Sequence, residues 1–82
     1  MFKDTLLKYI KELGLSDWDI SADIGDTTHV KINDKLKKAF IYISNSDLPY
    51  KDYWILHELY HIKFPHKSEE QINKLTSRYL QI

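Results

Sequence analysis

The sequence predicts a small α+β domain in the order helix, three strands, two helices. Three observations carry this reading. Apolar residues recur every three or four positions from residue 2 to 13, alternate with polar ones from residue 18, and return to helical spacing beyond residue 47. A chain of 82 residues has room for one core, so residues 1–82 are expected to form a single domain.

Phe2, Leu6, Leu7, Ile10 and Leu13 line one face of an amphipathic first helix. Gly14 suits the left-handed residue that closes it, with Leu15 packing back on the last turn. Trp18, Ile20, Ala22 and Ile24 then alternate with Asp19, Ser21 and Asp23, the pattern of a half-buried strand. Gly25 and Asp26 turn the chain. A second short strand covers residues 29–33, with Val30 and Ile32 on one side and His29 on the polar side as a plain exposed histidine. Residues 34–37 are polar enough for a hairpin turn. The third strand, Ala-Phe-Ile-Tyr-Ile-Ser at 39–44, is apolar on both faces. These strands predict a small, mainly antiparallel three-stranded sheet.

Ser46 and Asp47 are suited to cap a helix from about residue 48 to 63, which tolerates Pro49 in its first turn and must end before Pro65. Ser68 followed by Gln71 has the spacing of a capping box for a last helix. Its apolar positions are Ile72, Leu75, Tyr79 and Ile82.

Composition removes several functional classes. Lys and Arg balance Asp and Glu at 12 each, so no basic field favours nucleic acid or an acidic membrane. Without cysteine there is no disulfide, thiolate metal site or cysteine nucleophile. The charged N-terminal stretch lacks the apolar core of a signal peptide, and no segment approaches the ~20 apolar residues of a membrane span. A cytoplasmic protein is therefore expected.

The chemistry is concentrated at residues 54–61, Trp-Ile-Leu-His-Glu-Leu-Tyr-His. On a helix, His57 and His61 emerge on one face a turn apart, close enough to share a tetrahedral zinc ion. Glu58 projects about 100° around the helix from His57, within reach of a water beside the ion but not positioned as a ligand. Leu48, Ile55, Leu59 and Ile62 fall on the opposite side, so the helix is expected to have an apolar back and a polar front. Catalytic zinc needs a third protein ligand. Glu69 lies at the edge of the last helix's apolar stripe, in line with Asn73 and Thr76, whereas Glu70 points toward water. Glu69 is the favoured ligand and Glu70 the alternative.

His57-Glu58-Leu59-Tyr60-His61, followed by a glutamate on the next helix, resembles the gluzincin metallopeptidases. The short gap to Glu69-Glu70-Gln71-Ile72-Asn73 looks most like the minigluzincins and the core of ImmA/IrrE-type metallopeptidases. The resemblance covers the chain from about residue 28 onward and implies a minimal zincin-like fold. It implies His57, His61 and Glu69 as ligands of one catalytic zinc ion, Glu58 as general base and acid, and Asn73 as a supporting residue. It also implies a peptide or protein substrate held extended along strand 39–44. Tyr60 and Ile72 depart from the family pattern, standing where small residues are usual. Their bulk is expected to press on the cleft or on the packing between the helices.

The expected function is hydrolysis of peptide bonds by a zinc-activated water, with Glu58 moving the proton. A donor for the developing oxyanion is also required. His66 is the first candidate for it, followed by Tyr60, Tyr53 and Tyr42. Two other readings remain open: a zincin-like metal- or peptide-binding regulatory module without efficient hydrolysis, and a structural domain with a fortuitous histidine pair.

Overall fold

The computed structural model describes residues 2–82. Helix α1 (Lys3–Glu12) is followed by strands β1 (Asp19–Ile24), β2 (His29–Asn33) and β3 (Lys38–Ile43). A 3₁₀ segment (Asn45–Tyr50) then leads into α2 (Lys51–Lys63), and α3 (Glu69–Leu80) completes the fold. The α+β class and element order are those expected. No helix among the described residues is long and apolar enough to cross a membrane.

Local signals end the helices. Gly14 takes a φ of +71°, and the Gly14 and Leu15 amides donate to the carbonyls of Lys11 and Ile10 in a Schellman closure. At the start of α3 both halves of the capping box are present. The Gln71 amide donates to the Ser68 hydroxyl at 3.2 Å, and the Ser68 amide donates to Gln71 Oε1 at 2.9 Å. Ser46 and Asp47 do not cap α2 as expected. Asp47 instead accepts hydrogen bonds from Thr28 and Ser44, tying the entry of β2 to the exit of β3.

The sheet order is β1-β3-β2, with β3 central. β1 pairs parallel to β3 and β2 pairs antiparallel to it, so the sheet is mixed, not mainly antiparallel. The alternation in β1 reports which face is buried but is blind to strand direction. Opposite residues in the two registers share a face, which places Ile20, Ala22, Val30, Ala39, Ile41 and Ile43 together on the inner side. Ile41 and Ile43 are completely buried there, against α2.

Helix α2 is the hub of the core. It packs on α1, α3 and the sheet, and Ile55, Leu56, Leu59, Tyr60 and Ile62 are all buried. The expected apolar back is buried, and on the polar front His57 and Glu58 are buried as well, 2% and 5% exposed. Neighbours on several sides, which spacing along one helix does not reveal, enclose both faces. Leu7, placed on the apolar face of α1 by spacing, is 55% exposed. On α3 the fully buried residues are Ile72 and Thr76, while Tyr79 sits at the margin with its ring edge-on to Tyr9 at 5.6 Å.

Candidate metal centre

Two packed helices build the site. His57 faces Glu69 and Tyr53 faces Asn73, so α2 and α3 run antiparallel. Pro65 and the capped start of α3 set the turn between them. Glu69 is thereby placed one position beyond its cap, on the side of α3 that meets α2. Glu70 turns away and pairs with Lys74 at 3.4 Å.

Three metal-ligating atoms converge. His57 Nε2 is 3.2 Å from His61 Nε2 and 3.1 Å from Glu69 Oε2, and His61 Nε2 is 2.6 Å from Glu69 Oε1. Nitrogen and oxygen ligands about 2.0–2.1 Å from a tetrahedral ion stand roughly 3.3 Å apart. The three donors are already close to that spacing, and their chemistry suits a divalent cation.

Protonation favours the same use. Burial lowers the pKa of His57, opposed by the Glu69 carboxylate, which favours the neutral imidazole that a metal requires. Nδ1 of His57 is buried with no hydrogen-bond partner among the described residues. Tyr53 stacks on the His57 ring at 5.9 Å, and Trp54 meets it edge-on at 5.1 Å. The ring is thus oriented by aromatic contacts, without a polar second partner. Asn73 does not bond to His57; its Oδ1 accepts the Tyr53 hydroxyl at 3.0 Å.

Glu58 Oε1 lies 3.7 Å from His57 Nε2. Burial, reinforced by the charge of Glu69, pushes the Glu58 carboxyl up to about 7. It borders a cleft of about 350 Å³ together with His61, Glu69, Pro65, Thr28, His29, Val30 and Ile32. One wall is therefore the ligand helices and the other is β2.

This geometry corrects several sequence expectations. Strand 39–44 has no free edge for a peptide, because β1 and β2 occupy both sides of β3. The edge strand at the cleft is β2. His66 is exposed and does not line the cleft, whereas Pro65 does. Tyr60 is buried and stacked on Phe64 at 6.0 Å, and Ile72 is fully buried, so neither narrows the opening. The Tyr53 hydroxyl is engaged by Asn73, and Tyr42 lies in a stack between His29 and Phe40. His29, read as an exposed residue on the polar side of its strand, lies on that side, its ring stacked on Tyr42 on the face of the sheet away from α2. No family model, curated protein or solved structure matches the chain, so the residues themselves carry the functional argument.

Proposed function

We propose that the protein is a minimal zinc-dependent metallopeptidase of the gluzincin type, acting on extended peptide segments. One observation carries the reading: His57, His61 and Glu69 converge at metal-binding spacing while a buried glutamate, Glu58, borders the same open cleft. The resemblance of His57-Glu58-Leu59-Tyr60-His61 and Glu69 to the gluzincin pattern supports it. Zinc, when held by these three residues, supplies Lewis acidity toward a water and a peptide carbonyl.

The remaining chemistry belongs to the chain. Glu58 takes the proton of the attacking water and delivers it to the leaving amine. Its burial raises its carboxyl in the metal-free chain, which makes it a stronger base than a solvated carboxylate. The free edge of β2 offers backbone groups to a peptide lying in the cleft, by the pairing that an added strand uses.

Metal analysis of protein purified without a histidine tag is expected to find one zinc per chain. Glu58→Gln is expected to keep that zinc and lose cleavage of an unstructured protein by about 10²- to 10⁴-fold. Cleavage unaltered by this substitution would rule out the mechanism. Zinc binding and peptide binding without Glu58-dependent cleavage would favour the regulatory module.

A further inference from the structure

We infer that the outer face of the sheet is a self-association surface, on which a second copy of this chain packs about a twofold axis parallel to the strands. Ile41 and Ile43 of β3 point inward to the core, so Phe40 and Tyr42 point the other way, away from α2. Asp19, Ser21, Asp23, Lys31, Asn33 and Lys38 share that outer face and are all exposed, so no second layer covers it.

The middle of the face is aromatic. Phe40 stacks on Tyr42 with centroids 4.7 Å apart, and Tyr42 stacks on His29 at 4.8 Å. Lys31 Nζ lies 5.6 Å from the centre of the Tyr42 ring, which places its ammonium on the same face. Phe40 borders an open hollow of about 310 Å³, shared with Asp19, Lys31 and Lys38, which leaves room for an opposing ring. A row of three partly exposed rings is an apolar patch that a solvated sheet face does not need.

Charge selects the occupant and its orientation. The edge strand β1 presents Asp19 and Asp23, the edge strand β2 presents His29 and Lys31, and the rings lie between them. Asp19, Asp23 and Lys31 form no ion pair among the described residues. A half-turn about an axis along β3 lays β1 of one copy over β2 of the other. Asp23 and His29 are both level with Tyr42, so Asp23 meets the partner's His29. Lys31, level with Phe40, enters between the partner's Asp19 and the partner's Asp23. Rings meet rings along the axis, at the ~10 Å spacing of packed sheets. Lys38 meets its own symmetry mate at the rim, flanked by Asp19 of each copy. An axis across the strands would instead set Asp against Asp. The metal-binding cleft lies on the opposite side of the sheet, so both clefts stay open and the inference does not rest on the peptidase reading.

The test is sedimentation equilibrium of the full chain from about 1 µM to about 1 mM, at pH 7 and low salt. Three strands make a narrow patch, so a reversible monomer–dimer equilibrium with Kd of roughly 10–300 µM is expected. Phe40→Ser removes the central contact and should weaken the dimer by about tenfold or more. Lys31→Asp and Asp23→Lys each set like charges together and should weaken it about fivefold. Combined, the two substitutions exchange the charges across the interface and should bring Kd back to within about twofold of wild type. Thermal melts confirm that each variant remains folded.

A chain that is monomeric at 1 mM would overturn the inference. So would a dimer indifferent to Phe40→Ser, single charge variants that associate like wild type, or a double variant no tighter than the single ones. Open-ended chains of copies in place of dimers would assign association to another surface and overturn it as well.

Discussion

The two halves of the candidate metal centre differ in how they are held. On α2, His57 is 2% exposed and Glu58 is 5% exposed, enclosed by the core that Ile55, Leu56 and Leu59 build. On α3, the Glu69 side chain is 71% exposed, and its polar contacts are with the two histidines. Packing therefore presets the α2 half with or without an ion. The α3 half supplies a charge that closes the site but contributes little to the core. The difference separates a scaffold that orders two histidines from a carboxylate held mainly by its contacts with them.

The largest effect is expected on the buried side. Leu59→Ala, at a fully buried position, should lower stability by about 2–5 kcal/mol in urea denaturation. The loss should be similar with zinc and with a chelator, because the helix is held by packing. A loss under about 1 kcal/mol would break the comparison.

Next comes a pH effect at Glu58 in the metal-free chain. Its carboxyl rises from an ordinary 4.5 to about 7 on folding. Between those values the folded chain holds a proton that the unfolded chain has released. The resulting stability is full below about pH 4.5 and lost as pH rises through about 7. Glu58→Gln removes this dependence, so the metal-free variant should gain on wild type by about 3 kcal/mol across that window. Denaturation at pH 5 and pH 8 in chelator measures it, and parallel pH profiles would contradict the burial of a titrating carboxyl.

The exposed half should respond only through the metal. Glu69→Gln should change metal-free stability by no more than about 0.5 kcal/mol. Zinc at one hundred times the wild-type Kd adds about 2.7 kcal/mol to the wild type. A hundredfold weaker site in the variant would reduce that gain to about 0.4 kcal/mol. An equal zinc-induced rise in Tm for both proteins would remove Glu69 from the ligand set.

Much of the site was legible because helical periodicity is local. Four residues separate His57 from His61, so any α-helix presents them together. Position around α3 distinguished Glu69 from Glu70 for the same reason. The shared environment of these groups was less legible. Spacing marked a polar front on α2, yet that front is buried because α3 and the sheet enclose it. Tyr60 and Ile72 were expected to press on the cleft or on the packing between the helices; both are buried in the core, and a single helix does not state which neighbour receives each side chain.

By itself, the sequence determined the elements, their ends and the ligand spacing, since caps, turns and periodicity act over a few residues. Gly14, the Ser68–Gln71 box and the helix carrying His57, Glu58 and His61 all belong to that level. Tertiary structure alone decided that β1 runs parallel to β3, that β3 is central and that β2 borders the cleft. It also raised the Glu58 carboxyl. Those outcomes depend on contacts between segments distant in sequence, where pairing direction and desolvation are properties of the assembled core.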